Sequence, residues 1–168
     1  RISRCVVWSD KASVFCLTWN ARQDSGGSVV RDCDVIHHKP FEDKLHRWTG
    51  AVFRSWHGGS AHIHDILFDD IRIEGQSPRL ISIHFERNNW SPQTGEWGSF
   101  SGLHFRNITA TGPFLFDSQL LGHDAEHTID DVTFENLRIG GQLIRSTGQM
   151  NLKTNEFVRN LSFIVTDV

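Results

Sequence analysis

The sequence predicts an all-β fold, a right-handed parallel β-helix (solenoid) of about five coils, formed by residues 1–168 as a single domain. Three observations predict it. One motif recurs along the chain, each copy alternates apolar and polar residues with the period of a strand, and each copy is followed by a second apolar strand at a spacing of coil length.

The clearest copies are IHDILFDDIRIEG (residues 63–75), FSGLHFRNITATG (100–112) and IDDVTFENLRIGG (129–141), and VRNLSFIVTDV (158–168) begins a fourth. All four share the order apolar, any, polar or Gly, aliphatic, any, Phe. The three full copies continue through Asp70, Asn107 or Asn136 to an aliphatic residue and end on Gly. A polar turn residue midway marks a strand bending into the next, with its side chain taking up backbone groups at the corner. Weaker versions are VRDCDVIH (30–37) and the opening ISRCVVW. The equivalent positions run Cys5, Cys33, Ile71, Ile108 and Leu137, with spacings of 28, 38, 37 and 29 residues, one coil plus an inserted loop each time.

The second strands are expected at residues 12–20 (ASVFCLTWN), 50–58 (GAVFRSWHG), 80–87 (LISIHFER), 113–119 (PFLFDSQ) and 142–148 (QLIRSTG). A lone coil cannot bury its inward side chains, so such units must stack. A sandwich or barrel of short strands would show Asn-Gly or Asp-Gly hairpin turns, and the sequence has none. No helical stripe has the length and caps to compete.

The chain is 38% hydrophobic and 22% charged, with a net charge of −3. No block of like charge points to nucleic acid, and no apolar run reaches the ~20 residues of a membrane span. Residues 1–7 lack the charged-then-apolar order of a signal peptide, which decides little because a secreted parent would carry its signal upstream; the expected location is extracellular, with the signal not in this chain. Three cysteines, Cys5, Cys16 and Cys33, give no complete disulfide framework and are expected to be buried free thiols. No metal site is expected: no C-x-x-C pair occurs, and His62 and His64 share a face from which Asp65 should point away. No cofactor is expected either. Twelve Phe suit a stacked interior, while six Trp are too large for all to be fully buried.

ISRCVVWSDKASVFCLTWN and VVRDCDVIHH resemble successive coils of the dextranase and isopullulanase family, one of the pectinase-type β-helix glycoside hydrolases. The resemblance spans about residues 1–90 and implies the C-terminal part of such an enzyme. The aspartate-bearing catalytic coil of that family would precede Arg1. The N-T-D, G-H-G and R-I-K motifs of the polygalacturonase relatives are also lacking, and the pairs Asp69-Asp70 and Asp130-Asp131 fall at corners of the other strand.

In those relatives the substrate lies along the sheet of second strands. Ile81, Ile83 and Phe85 must point inward, which turns Ser82, His84 and Glu86 outward. The expected outward face carries Trp19, Arg54, Trp56, His84, Glu86 and Asp117, with Trp90 and Trp97 on the loop at residues 88–99 and Trp48 over the loop at residues 39–49. Aromatic rings stack on the C–H faces of sugars, and charged groups hydrogen-bond hydroxyls. The expected function is therefore carbohydrate binding, with a polysaccharide or oligosaccharide as partner and no catalysis by this chain alone. Two alternatives stand beside it. One is an active endo-acting glycoside hydrolase using Glu86 and Asp117, placed on adjacent coils ~4.8 Å apart, with Asp10 as a further candidate. The other is a structural β-helix that forms homo-oligomers through exposed coil ends.

Overall fold

The structure, a computed structural model, describes residues 1–39 and 50–166; the expectation for Trp48 and its loop lies outside the described residues. Among these residues the fold is all β, apart from a short 3-10 turn at Gly148–Met150, and it is built as a β-helix-like parallel solenoid.

The longer sheet stacks, in spatial order, Ile2–Ser3, Val29–His38, His62–Ile73, Ser99–Ala110, Ile129–Glu135 and Leu161–Ile164, all paired in parallel. Val6–Ser9 continues the first coil along Val29–His38. The shorter sheet stacks Phe15–Cys16, Phe53–His57, Ile81–Phe85, Ser118–Leu121 and Leu152–Thr154, again in parallel.

The motif positions come into register from coil to coil. Val30, Phe68, Phe105, Phe134 and Phe163 occupy one column of the longer sheet. The four Phe rings in it stack at centroid distances of 5.4, 5.1 and 5.2 Å, with planes no more than 21° apart. Phe53 of the shorter sheet packs into this column, 4.6 Å from Phe68 and 5.1 Å from Phe105, so one ring ties both sheets to a common core.

The corner residues behave as their chemistry dictates. Asp32, Asp70, Asn107 and Asn136 all adopt left-handed backbone conformations, with φ between 52° and 54°. A second column of corners is formed by Asp65, Gly102, Asp131 and Asn160. Asp and Asn tolerate this region better than other side chains, and it breaks the alternation of the strand so that the chain turns. The corner side chains also pair between coils. Asn136 Nδ2 donates to Asn107 Oδ1 (3.1 Å) and Asn107 Nδ2 donates to Asp69 Oδ1 (3.2 Å). Arg106 grips Asp69 through two bonds of 3.0 and 2.8 Å, which holds the Asp69 carboxyl below the usual carboxylate range. The Arg72 guanidinium likewise gathers Asp34, Asp32 and Asp70. Between coils the backbone also passes very close: a Cβ on Gly59 would sit 1.9 Å from the Ala21 carbonyl oxygen.

Two sequence expectations need correction here. The last two members of the shorter sheet are Ser118–Leu121 and Leu152–Thr154, not residues 113–119 and 142–148. The PFLFD stretch alternates like a strand, but Phe114 makes only an isolated bridge to Ser77 before the chain joins the sheet. Gln142–Leu143 folds back antiparallel on Arg138–Ile139. Of the cysteines only Cys33 is buried; Cys5 is half-buried, and Cys16 is exposed because it stands on an outward position of the shorter sheet.

Phe105→Ala, which opens the middle of the ring column, is expected to cost about 3–5 kcal/mol of unfolding free energy in a denaturant titration. His38 is buried, with Nε2 on the Ala12 carbonyl oxygen at 3.1 Å, and burial pulls its pKa down to about 4. The unfolded chain therefore binds a proton that the folded chain refuses. Stability is fully present above pH ~6.5 and should fall by up to about 3 kcal/mol as the pH drops from there through 4. His38→Gln, which keeps an N–H donor without titrating, should flatten that part of the stability–pH curve.

Candidate functional site

Pairing in the shorter sheet assigns each side chain to a row. Phe15, Phe53 and Ile81 fall on one inward row, and Ser55, Ile83 and Leu120 on another. The outward rows read Cys16, Arg54, Ser82, Gln119, Lys153 and, two residues along, Trp56, His84, Leu121. Arg54, Trp56 and His84 thus share the outward face that alternation predicts.

Their exposure differs from expectation. Arg54 and Trp56 are each only 7% exposed. The Arg54 guanidinium carbon lies 3.4 Å from the Trp56 ring centroid and 5.7 Å from that of Trp19, while Nη1 donates to Ser13 Oγ at 3.3 Å. Burial lowers its pKa to about 10, against the opposing pull of Cys16 and Glu86, so it stays a cation at neutral pH. Trp19 lies just beyond Phe15–Cys16, where its carbonyl oxygen accepts from Gly58 N (2.8 Å). Its ring meets Trp56 edge-on at 5.8 Å and remains 38% exposed.

His84 connects the buried part of the face to the wet part. Gln119 Nε2 donates to Ser82 Oγ (3.0 Å) and to His84 Nδ1 (3.3 Å), leaving His84 Nε2 to donate to Glu86 Oε2 at 3.2 Å. Nδ1 is therefore the accepting nitrogen of a neutral ring. Burial lowers the His84 pKa, and the Glu86 carboxylate partly offsets it. Glu86 itself is exposed.

The loop after Ile81–Phe85 is pinned rather than loose. Ser91 is buried, and its Oγ donates to Asn20 Oδ1 at 2.7 Å. Asn88 Oδ1 accepts from Trp90 N (2.9 Å), and Asn20 Nδ2 donates to the Trp90 carbonyl oxygen (3.5 Å). Arg87 holds the far side through the carbonyls of Gly95 and Glu96 at 2.8 and 2.9 Å. These bonds present the Trp90 ring at 82% exposure. Trp97 instead folds down, its ring 4.0 Å from the Arg87 guanidinium carbon and 4.3 Å from the His123 ring.

The candidate carboxylates do not come together. Glu86 follows Phe85, whereas Asp117 precedes Ser118 and falls level with Leu80, in line with the backbone bond from Phe116 N to the Pro78 carbonyl oxygen. Six residues of strand separate the two levels, ~20 Å at ~3.3 Å per residue. Asp117 pairs with Lys153 at 2.8 Å. Asp10 sits off the face, bound to His37 Nε2 (3.1 Å) and Trp8 Nε1 (3.2 Å). The Asp65 carboxylate does not turn away from His64 but reaches its Nδ1 at 2.8 Å, because the left-handed corner at Asp65 interrupts strand alternation.

Sequence reading missed Ser13, Asn20, Gln119 and Asn88, which position Arg54, Trp90 and His84. Asn20 and Asn88 had a signal: each is a polar residue just beyond a second strand, where loop backbone needs partners. Comparison with known protein families, with curated proteins and with solved structures finds no match to this chain.

The pairing within the face leads to one check. Replacing Glu86 by Gln removes the carboxylate that favours the protonated ring, so NMR titration of Glu86→Gln should give a His84 pKa below that of the unaltered chain.

Proposed function

We propose that the chain binds a polysaccharide or oligosaccharide along the outward face of the shorter sheet and does not cleave it unaided. The observation that carries this reading is Trp90, a large apolar ring held out in water by a hydrogen-bonded loop that is anchored on Asn20, the residue that follows the partly exposed Trp19. An exposed Trp has an apolar surface with nothing to cover it, and fixing its backbone reduces the entropy lost when a ligand stacks on it. Beyond Trp19 the face continues through His84 and Glu86, groups that donate to and accept from hydroxyls.

The same reading treats the chain as part of a larger extracellular β-helix of the glycoside hydrolase kind. It takes the solenoid as right-handed with about five coils. The strong preference of parallel strand crossovers for the right hand supports the first point, and the five strands of the shorter sheet support the second.

The test is a titration of the whole chain against α-glucans, β-glucans, xylans and pectins, following Trp fluorescence and released sugars together. Fluorescence change without product is the expected result, and Trp90→Ala should weaken binding about tenfold, the equivalent of ~1.4 kcal/mol, with little effect on melting. Released product would overturn the reading in favour of hydrolysis. No response to any glycan would overturn it altogether.

A further inference from the structure

Cys5 and Cys33 stand at equivalent positions of two stacked coils. The register runs Ser3 to Arg31 and resumes at Val6 to Asp34, which sets Cys5 directly over Cys33. Asp34 N donates to the Cys5 carbonyl oxygen at 2.9 Å, so the backbones are paired at this level. Both residues follow left-handed corners, Arg4 at φ 56° and Asp32 at φ 52°. Both thiols adopt the same local contact, each donating to the carbonyl two residues earlier, Cys5 to Ser3 at 3.5 Å and Cys33 to Arg31 at 3.2 Å. The side chains therefore run parallel from adjacent strands at in-register positions. Neighbouring strands lie ~4.8 Å apart, inside the ~4.4–6.8 Å between Cα atoms that a disulfide spans. The rest of this column is Ile71, Ile108 and Leu137, so only these two coils carry sulfur there.

We propose that Cys5 and Cys33 are a modification site, a pair that closes to an inter-coil disulfide by exchange with a low-molecular-weight disulfide. The two positions have different parts in the step. Cys5 is half-buried and reachable, whereas Cys33 is fully buried. The Cys5 thiolate attacks the small disulfide, breaking its S–S bond, forming a mixed disulfide and releasing one small thiol. The Cys33 thiolate then attacks the Cys5 sulfur, forming the inter-coil bond and expelling the second small thiol. The two protons lost by the cysteines end on the two released thiols, and the small disulfide is the species reduced. Burial pushes the Cys33 thiol above its ordinary value, which makes this second step slower at neutral pH and faster as pH rises. Closure ties the first coil, whose chain runs on through Phe15–Cys16 to Trp19, to the coil above it and restricts the unfolded chain.

The experiment uses the full chain with Cys16→Ser, which removes the exposed thiol. The protein is incubated with oxidised glutathione, unfolded, treated with maleimide and analysed by intact mass and peptide mapping. The expected result is loss of the mass of two hydrogens, no maleimide on either cysteine, a linked pair of peptides containing Cys5 and Cys33, and a melting temperature several degrees above that of the reduced form. Cys5→Ser in the same background should lose both the mass change and the melting shift. Peptide mapping of the oxidised unaltered chain asks the same question without any variant. Maleimide on both cysteines after oxidation, or a reaction that stops at glutathione on Cys5, would overturn the proposal.

Discussion

Coil-to-coil register is the constraint on which the rest of this molecule depends. In a parallel stack each residue sits directly above its equivalent, so identical side chains accumulate into columns. A slip of one residue would turn the column of Phe68, Phe105, Phe134 and Phe163 toward solvent and the outward rows toward the core. Burying each Phe is worth about 1.5–3 kcal/mol, so a slip forfeits several such terms at once. The left-handed corners reinforce the choice. Asp32, Asp70, Asn107 and Asn136 must also coincide, because each takes a backbone conformation that most residues avoid. Ring column and corner column fall within a single strand, and a register that satisfies one satisfies the other.

That redundancy explains what the sequence disclosed. The motif carries Phe and a corner Asp or Asn at fixed separation, and wherever both were present, as in residues 63–75, 100–112 and 129–141, strand and corner lie where the pattern placed them. Most second strands contain Phe, but none carries the pair of Phe and corner Asp or Asn at the motif's separation. Residues 50–58 and 80–87 were recognisable because their alternation is long and strongly apolar. PFLFDSQ and QLIRSTG also alternate, yet the sheet is joined instead by Ser118–Leu121 and Leu152–Thr154. Nothing local distinguishes SQLL from PFLF; the difference is which segment the lengths of the intervening loops bring level with Ile81–Phe85. The candidate face was legible to a similar depth. Alternation assigned Arg54, Trp56 and His84 to the outward side correctly. Exposure was not legible, because it depends on Ser13, Trp19 and Gln119, which arrive from other coils.

The buried end and the wet end of the face are built on different physics. Arg54 lies against the Trp56 ring, where the ring quadrupole and the Ser13 hydroxyl replace part of the lost water. A guanidinium keeps its charge in such a place because its delocalised cation is weakly hydrated, and even after burial lowers its pKa it does not titrate near neutrality. Arg54 thus fixes the orientation of Trp56, and Trp56 in turn gives Trp19 an edge to pack on. At the other end His84, Glu86 and Gln119 form a chain of hydrogen bonds whose last member is solvated. The face therefore combines a packed aromatic floor with a solvated polar margin.

Register also bears on the choice between binding and hydrolysis. Hydrolysis of a glycosidic bond by paired acids needs two carboxyl groups about 5–5.5 Å or 6.5–9.5 Å apart. In a parallel stack, side chains reach such distances mainly when they share a row on adjacent coils or stand two residues apart on one strand. The outward rows contain Cys16, Arg54, Ser82, Gln119 and Lys153, then Trp56, His84 and Leu121, and neither contains a carboxylate. Glu86 has His84 two residues before it, not an acid, and Asp117 lies six strand positions away and pairs with Lys153. Among the described residues, the rows where an acid and a base would have to face each other hold no pair of carboxylates, and this distribution supports the proposed binding over hydrolysis at this face.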